Sequence, residues 1–339
     1  MGLYNMSTRL GEIKNWISGL FPNIDLSSLH YIQADASDRK YLRFNLTELS
    51  FIIMDSKPDA EFNNFINIAQ LLSQHGLTVP KIIEVNTEQG LILMNDLGAQ
   101  TYLSILKEAT LATAHKLYSD AISALIKMQL IANQNNAYQL PNMDSEYINN
   151  RLNVFNTWYL QHHLHLEPSN AMLPMLTNLQ KMFNSVFQNQ QQVFVHLDYH
   201  SRNLMYLTSN SNPGILDFQD AMWGPITYDL VSLLQDAYIT WPRAQVEIWV
   251  SLYVDMAVDA GLMVRQDSQQ VLRNFDLVGL QRHIKNLGIF ARLHYRDKKS
   301  SYLQDIPALL HYIVAACHRY PELSALHEFL KEHILEVSL

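Results

Sequence analysis

Two short segments contain the residues best suited to chemistry. The first, HLDYHSRN at residues 196–203, holds Asp198 and Asn203 with four residues between them, and the second, ILDFQD at residues 215–220, holds Asp217. Carboxylate and carboxamide oxygens are ligands that Mg²⁺ accepts as a hard cation, and a further carboxylate can receive a hydroxyl proton. Transfer of the terminal phosphoryl of ATP needs these functions, because it depends on positioning and charge neutralisation. The two segments therefore predict a phosphotransferase site that uses ATP and Mg²⁺.

The residues around these three positions resemble the aminoglycoside phosphotransferase and choline kinase superfamily. Protein kinases also place four residues between the Asp and the Asn of the catalytic loop, but they carry a lysine where His200 stands in the order His-x-Asp-x-His-x-x-Asn. The resemblance implies that Asp198 is the catalytic base and that Asn203 and Asp217 bind the metal. His200 is a second catalytic candidate, with packing and contact with the transferring phosphate as the two alternatives, whereas His196 is expected to brace the loop.

The first 96 residues predict a small nucleotide-binding lobe. Apolar spacing predicts a helix over residues 7–20, and Pro58 and Gly76 mark the start and stop of another. Strands are predicted within residues 31–46, 50–55, 81–85 and 91–96. Strands with one inserted helix and then a hinge are the plan of the kinase nucleotide lobe. The predicted hinge, whose backbone is expected to face the adenine, consists of Met94, Asn95, Asp96 and Leu97.

The predicted phosphate loop has no glycine. In protein kinases glycines let the backbone approach the phosphates, whereas the turn here reads ADASDR at residues 34–39. The expected nucleotide contacts of this hairpin are Ser37, Asp38, Arg39 and Arg43. The strand FIIMD also lacks the usual phosphate-binding lysine, so Arg43, Lys57 or another basic residue replaces it, or Mg²⁺ provides most of the grip. Glu61 is the candidate for the acidic ion-pair partner on the following helix.

Residues 97–339 predict a larger, mainly helical catalytic and substrate-binding lobe. Apolar residues recur at helical spacing over residues 110–131, 245–262 and 278–295. The predicted fold class is thus α+β, a bilobal protein-kinase-like fold with a small β-rich N-terminal lobe and a larger, mostly helical C-terminal lobe.

Composition narrows the class of protein. The 339 residues are 48% hydrophobic, with a formal net charge of -8 and a single cysteine. The negative charge argues against a nucleic-acid partner, and one cysteine excludes an internal disulfide framework and a cysteine-based zinc site. No apolar run is long enough to span a bilayer, and no signal pattern stands at the N-terminus. We therefore expect a cytoplasmic enzyme with small-molecule partners and no obligate protein partner.

Further segments narrow the resemblance to one branch of the superfamily. SDRKYLRF, KIIEV, LILMNDLG, HLDYHSRN, LDFQDAMWGPITYDLVSLLQDAY and GIFARLHYRD together resemble the bacterial anomeric cell-wall sugar kinases, over about residues 7–330. The resemblance implies phosphorylation of the C1 hydroxyl of N-acetylmuramate and N-acetylglucosamine in peptidoglycan recycling. It also implies that Asp229, in TYDL, holds the catalytic loop through backbone amides.

An acetamido sugar offers hydroxyls, an amide and an apolar ring face, so its site needs polar and aromatic side chains. The substrate-binding residues predicted on this basis are Asp220, Arg151, Trp223, Tyr159 and Gln235, with Asp236, Tyr238, Trp158 and His162 nearby in sequence. A lactyl carboxylate on the acceptor would call for an arginine. Arg151, Arg282 and Arg292 are the candidates, and the sequence does not rank them.

Two other functions remain open at this level. The same fold can act on another small alcohol or amine, such as an aminoglycoside, choline or homoserine, and the acids between Asp217 and Asp236 suit a polycationic substrate. Alternatively, the missing glycines and strand lysine suit a non-catalytic nucleotide-binding protein. Retention of Asp198 argues against that second alternative, because nucleotide binding alone does not need a base.

Overall fold

A computed structural model of the chain describes residues 6–22, 24–32, 39–131, 140–167, 169, 172–208 and 212–335. The chain forms two compact units. The first comprises Met1–Ala99 together with Gly214–Gln219, and the second comprises Gln100–Pro213 and Asp220–Leu339. The segment Gly214–Gln219, assigned to the second lobe by the sequence interpretation, thus lies with the first unit.

The first unit is built on an antiparallel sheet of five strands in the order β1-β2-β3-β5-β4. Its elements are α1 (Met6–Leu20), β1 (His30–Ile32), β2 (Lys40–Leu46), β3 (Leu49–Asp55), α2 (Ala60–Gln74), β4 (Ile82–Asn86) and β5 (Leu91–Asn95), and the short β8 (Gly214–Ile215) belongs to the same unit. Alternation along β2 buries Leu42 and Phe44 on one face. They pack with Ile13 and Ile17 of α1 into the core of this unit. Tyr41 and the residues that alternate with it therefore lie on the opposite face of β2.

Local signals explain where α2 begins and how Gly214–Gln219 is held. The Asp59 side chain accepts the backbone N–H of Phe62 at 3.1 Å, which caps α2. The N–H of Ile215 donates to the carbonyl of Thr78 at 2.8 Å. Phe218 stacks on Phe65 of α2, with ring centroids 4.9 Å apart. A backbone hydrogen bond and an aromatic contact thus tie this distant piece of chain to the first unit.

The second unit is mostly helical. Its helices are α3 (Tyr102–Leu106), α4 (Leu111–Gln129), α5 (Ser145–Val154), α6 (Met172–Gln188), α7 (Tyr228–Leu234), α8 (Arg243–Asp259), α9 (Ser268–Tyr295), α10 (Ile306–Arg319) and α11 (Ser324–Leu330). A π-helical stretch, Phe155–His163, continues α5. Its strands are β6 (Gln192–Val195), β7 (Leu204–Met205) and β9 (Met222–Pro225), and β6 pairs with β9 in antiparallel register. None of the described helices is both long and apolar enough to cross a membrane.

Helix α9 is the central element of this unit, and α5, α6, α7, α8 and α10 all pack against it. Gly288 allows the end of α5 to come close, since a Cβ at this position would lie 2.6 Å from the carbonyl oxygen of Val154. At its N-terminal half, the fully buried Asp276 carboxylate accepts hydrogen bonds from Arg243, Arg319 and Tyr320. These contacts fix the position of a helix whose face also lines the candidate site.

The structure confirms the predicted fold class. The five-stranded sheet and the mostly helical second unit match the kinase-like α+β prediction. One helix is longer than its pattern indicated, because α9 starts at Ser268 and not near residue 278. The Asp267 side chain caps that start by accepting the N–H of Gln269 at 2.9 Å.

Candidate active site

Asp229 holds the loop that carries Asp198. The backbone N–H groups of His196 and Leu197 donate to the Asp229 carboxylate at 2.6 and 3.1 Å. Leu197 has a φ of 81°, in the left-handed region that is strained for a leucine. Asp229 is fully buried; burial raises its pKa to about 7, although the two N–H donors lower it. Asp229 is therefore structural, as predicted, and holds the strained backbone next to the predicted base.

The Asp198 side chain is 45% exposed, and a guanidinium nitrogen of Arg282 lies 3.6 Å from its Oδ1. Burial acts to raise the pKa of Asp198, but the charges of Lys285, Arg282 and His200 lower it to about 2. Lys285 is in turn affected by the cluster: burial and the charge of Arg282 lower its pKa to about 7, against the opposing effect of Asp198. Asp198 is thus held ionised, and its accessible oxygen can receive a proton.

Asn203 lies at the end of a tight turn that starts at Asp198. The N–H of His200 donates to the Asp198 carbonyl at 3.0 Å, and the N–H of Asn203 donates to the His200 carbonyl at 2.9 Å. The Asn203 side-chain nitrogen also donates to the Asp198 carbonyl at 3.0 Å, which orients its amide. The His200 ring meets Tyr238 edge-on at 5.3 Å, and the Arg202 guanidinium lies over the same Tyr238 ring at 3.6 Å. The predicted base and the predicted amide ligand therefore share one rigid turn.

Asp236 supports this turn from below. It accepts the N–H of Ser201 at 3.1 Å and a short hydrogen bond from the Ser201 hydroxyl. It also accepts the N–H of Tyr238 at 3.1 Å, and only 2% of the residue is exposed. Asp236 is close in sequence to the predicted sugar contacts, but its carboxylate is buried and bonded to the loop.

In the first unit, Arg39 is the basic residue that pairs with Glu61, at 3.1 Å. Arg39 is 6% exposed, whereas the alternative cation Lys57 is exposed. Burial raises the pKa of Tyr41 to about 12, and the nearby charge of Arg39 lowers it while that of Asp217 raises it. Arg39 and Asp217 are thus both close to one phenol. The predicted contacts at residues 37 and 38, Ser37 and Asp38, lie outside the described residues.

Asp217 has a left-handed backbone, with a φ of 62°. Aspartate tolerates this region better than most residues, because its short side chain can bond locally. One of its carboxylate oxygens accepts the side-chain N–H of Gln219 at 2.9 Å. Gln219 stands where the kinase metal-binding turn has a glycine, and its side chain orients the Asp217 carboxylate.

Most residues of the predicted hinge are hydrogen-bonded, ion-paired or buried within the protein. The N–H of Asn95 donates to the Lys81 carbonyl at 3.1 Å, and the N–H of Asp96 donates to the Ser50 carbonyl at 3.3 Å. Arg43, expected to bind phosphate, is instead paired with the Asp96 carboxylate at 2.7 Å. Met94 is 2% exposed within β5. Within the part of the chain that the structure describes, the N–H of Leu97 has no protein acceptor.

The predicted sugar contacts separate into two groups. Arg151 lies in the electrostatic environment of Asp198 and rests over a tyrosine ring, and Asp220 is exposed. Three others are packing residues, which corrects the prediction for them. Tyr159 is 1% exposed and stacks on a phenylalanine, Trp223 is 4% exposed within β9, and Gln235 is 6% exposed with its amide bonded to His283 and Asp276.

Lys285, Tyr228 and Tyr147 were not predicted from the sequence. The Lys285 ammonium donates to the Tyr228 hydroxyl at 3.1 Å. The Arg151 guanidinium lies over the Tyr147 ring, 4.7 Å from its centroid. The sequence did contain a signal for Lys285, because it follows Arg282 by three residues and therefore lies on the same face of a predicted helix. Nothing in the sequence marked Tyr147.

The oxygen donors fit magnesium. Asn203 in the second unit carries an amide oxygen and Asp217 in the first unit carries a carboxylate, and each is a hard ligand of the kind that Mg²⁺ takes. The Asn203 side-chain nitrogen donates to the Asp198 carbonyl, and the Gln219 side-chain nitrogen donates to the Asp217 carboxylate. These hydrogen bonds orient both side chains. No group of three or more His, Cys, Asp and Glu side chains among the described residues forms a metal site of its own.

An ionised catalytic-loop carboxylate, in a chain with this sheet and this helical unit, defines the class of kinase-like phosphotransferases. Solved structures share the fold. The choline kinase of Cryptosporidium parvum aligns with a TM-score of 0.65 and 11% identity, over 93% of this chain and 98% of that one. An ADP-bound aminoglycoside phosphotransferase aligns with a TM-score of 0.60 and 14% identity, over 89% and 97%.

The chain belongs to the phosphotransferase enzyme family, whose model matches residues 28–262. Three curated relatives are each named N-acetylmuramate/N-acetylglucosamine kinase. That of Pseudomonas aeruginosa is 36% identical over 95% of this chain and 96% of its own length. Those of Pseudomonas putida and Neisseria meningitidis are 38% and 35% identical, over 91% and 95% of this chain and 89% and 95% of their own lengths.

Proposed function

We propose that this chain is an ATP- and Mg²⁺-dependent kinase that phosphorylates the C1 hydroxyl of N-acetylmuramate and N-acetylglucosamine. The sugars are those in the names of relatives that match nearly the whole chain at 35–38% identity. The observation that carries the chemistry is the accessible carboxylate of Asp198, held ionised on a loop fixed by Asp229.

The low pKa of Asp198 suits an anomeric acceptor. A carboxylate with a pKa of about 2 is a weak base, so it is best used with a hydroxyl that ionises easily or gives up its proton late. The C1 hydroxyl of a sugar is more acidic than an ordinary alcohol, because the ring oxygen withdraws electrons. Asp198 therefore orients this hydroxyl and receives its proton as the bond to phosphorus forms, which is the role of the loop aspartate in phosphoryl transfer.

Each remaining part of the reaction has a candidate residue. Arg39, paired with Glu61, is the cation assigned to the nucleotide phosphates, and the N–H of Leu97 is the donor assigned to adenine. Asn203 and Asp217 are the residues assigned to hold Mg²⁺, which when bound neutralises charge on the phosphate oxygens. His200 lowers the pKa of Asp198 and is assigned to the edge of the reaction centre.

The charges around Asp198 argue against an aminoglycoside as the acceptor. A polycationic substrate calls for a lining of acids, whereas the groups closest to Asp198 are Arg282 and Lys285, with Arg151 beyond them. This basic lining suits a neutral or acidic sugar, and it separates the proposed function from other activities of the same fold.

The test is Mg²⁺-dependent ADP release across a panel of N-acetylmuramate, N-acetylglucosamine, glucose, kanamycin, choline and homoserine. Products are then assayed for loss of the reducing end, which reports phosphorylation at C1. We expect turnover with the two acetamido sugars and a blocked reducing end. Turnover only with kanamycin, choline or homoserine would reject the sugar assignment while leaving the phosphotransferase class intact.

Asp198→Asn tests the base. We expect kcat to fall by at least about 1,000-fold, because the reaction loses its proton acceptor and a charge aimed at the hydroxyl, with ATP binding retained. Asp255→Asn is the matched control, since Asp255 is exposed on α8 and its ion-pair partner among the described residues is the exposed Arg265. A near-normal rate for Asp198→Asn would reject Asp198 as the base.

A further inference from the structure

Arg282, Lys285 and Arg151 lie in the electrostatic environment of Asp198, and Arg292 lies in that of Arg151. Helix α9 provides three of these four basic side chains. Arg282, Lys285 and Arg292 follow one another at intervals of three and seven residues, which places them on one face of the helix. The fourth, Arg151, comes from α5, whose end is brought close to α9 at Gly288. The face of α9 toward α5 and α7 thus carries a row of positive charge in a chain whose net charge is -8.

Two of these cations already have partners. Arg282 lies 3.6 Å from the Asp198 carboxylate and donates to the Ser232 hydroxyl. The Lys285 ammonium donates to the Tyr228 hydroxyl at 3.1 Å and is 6% exposed. Both therefore serve the base and its surroundings, and neither is well placed to change partner for a substrate group.

The other two cations, Arg151 and Arg292, have no carboxylate partner among the described residues. Arg151 rests its guanidinium over the Tyr147 ring and also hydrogen-bonds to Tyr147, which is a neutral partner and leaves the charge of the guanidinium without an acid beside it. Neither Arg151 nor Arg292 has a carboxylate at ion-pair distance in the part of the chain that the structure describes. The Arg292 Nε is also buried without a hydrogen-bond acceptor among those residues. A buried donor without an acceptor is costly, so Arg292 offers an N–H group to an acceptor that the described residues do not supply.

The cations also repel each other. Burial lowers the pKa of Arg292, and the charges of Arg296 and Arg151 lower it further. Arg151 likewise helps to lower the pKa of Lys285. The Asp297 carboxylate opposes this effect on Arg292, but it is already held by the Arg296 side chain. An anion bound beside Arg151 and Arg292 would relieve this repulsion and satisfy the unpaired donor of Arg292.

We propose that Arg151 and Arg292 bind the carboxylate of an acidic acetamido sugar whose C1 hydroxyl is presented to Asp198. This assignment rests on the proposed function and adds a specificity site to it. The guanidinium fork matches a carboxylate in geometry and charge. Arg292 follows Lys285 by seven residues, about 10 Å along the helix axis, a distance comparable with a hexose ring and an ether-linked three-carbon acid.

The transferring phosphoryl group is the other anion that basic residues near a kinase base can bind. The two anions predict different behaviour. A phosphoryl contact affects every acceptor and the KM for ATP alike, whereas a carboxylate contact affects only acceptors that carry the acid. The ratio of the efficiencies for an acidic and a neutral sugar therefore separates them.

The experiment compares the wild type with Arg151→Gln and Arg292→Gln. Turnover is measured with N-acetylmuramate, its lactyl methylamide and N-acetylglucosamine, and binding of the same sugars is measured by calorimetry, which does not require turnover. We expect kcat/KM for N-acetylmuramate relative to N-acetylglucosamine to fall about 10- to 100-fold in each variant, the range of a lost charge-assisted hydrogen bond. Arg265→Gln is the control, because Arg265 is exposed and pairs with the exposed Asp255 of α8.

The outcomes distinguish this inference from the proposed function. A preference of the wild type for N-acetylmuramate over its methylamide that disappears in Arg151→Gln supports the carboxylate site. An unchanged ratio, with both efficiencies reduced equally, overturns it in favour of a phosphoryl contact. Binding of N-acetylmuramate no tighter than that of its methylamide by the wild type also overturns it. Failure to block the reducing end of either sugar rejects the proposed function, while the calorimetry still decides whether the carboxylate is recognised.

Discussion

Replacing Asp229 with asparagine tests how the loop positions the base. The carboxylate accepts two backbone N–H groups, from His196 at 2.6 Å and from Leu197 at 3.1 Å. An asparagine of the same shape keeps one oxygen but turns an NH₂ group toward one of those donors. The variant therefore leaves a buried N–H without an acceptor beside a residue in the left-handed region.

The expected cost follows from these contacts. A lost hydrogen bond to a charged group costs about 1.5–3 kcal/mol. Removing a buried carboxylate whose pKa is raised to about 7 recovers part of that cost, so we expect the free energy of unfolding to fall by about 2 kcal/mol. The larger effect is on rate. A displacement of Asp198 by about 1 Å is sufficient to reduce kcat about 100-fold.

The assay for Asp229→Asn combines steady-state kinetics with urea denaturation. We expect kcat to fall about 100-fold while the KM for ATP changes little, because Asp229 acts on the loop and not on the nucleotide. Asp255→Asn controls for the loss of one negative charge, since its exposed ion pair is worth at most about 1 kcal/mol. A kcat within threefold of the wild type would show that the Asp229 hydrogen bonds do not position Asp198, and the reasoning would fail.

Three further predictions test other parts of the structure. Arg39→Gln should raise the KM for ATP at least about tenfold, because the proposed phosphate cation is lost, and an unchanged KM in the ADP-release assay would contradict that role. Asp276→Ala should lower the free energy of unfolding by about 3–5 kcal/mol, since it leaves two partly buried arginines without their carboxylate; a loss under about 1 kcal/mol in urea denaturation would count against this. Lys285 has a folded-state pKa of about 7 against an ordinary value of 10.5, so the unfolded state binds its proton more tightly and stability due to this group rises with pH between those values. Lys285→Met should remove that rise, and parallel stability curves for variant and wild type between pH 7 and pH 9.5 would argue against a shifted lysine.

Most elements of the fold could be predicted because their signals are local. Helical periodicity and end signals gave α1, α2, α4 and α8 to within a few residues. The start of α9 was missed although Val271 and Phe275 are buried at helical spacing, because its first three residues are polar; the Asp267 cap sets the boundary. Local patterns predict elements well when one face is apolar along the whole length.

The candidate site was predictable where its residues are close together in the sequence. Asp198 and Asn203 share one turn, and their relation follows from five residues of backbone. Gln235 was misassigned because its partners His283 and Asp276 lie on α9, more than forty residues away in sequence. Lys285 was missed for the same reason, since only tertiary packing shows that it is buried near the base.

Two separate stretches of the chain make up the first unit, and this has a consequence for how the protein is synthesised. Ala99 ends its main segment, yet Gly214–Gln219, with the Phe218 ring that stacks on α2, is also part of it. A ribosome must add on the order of a hundred more residues before this piece exists, which at about 5–20 residues per second takes of order ten seconds. During that interval the nascent first unit lacks Phe218, so it cannot be fully packed. Truncation after Ala99 would make that incomplete state permanent, and a single cut in the gene therefore cannot yield the complete first unit.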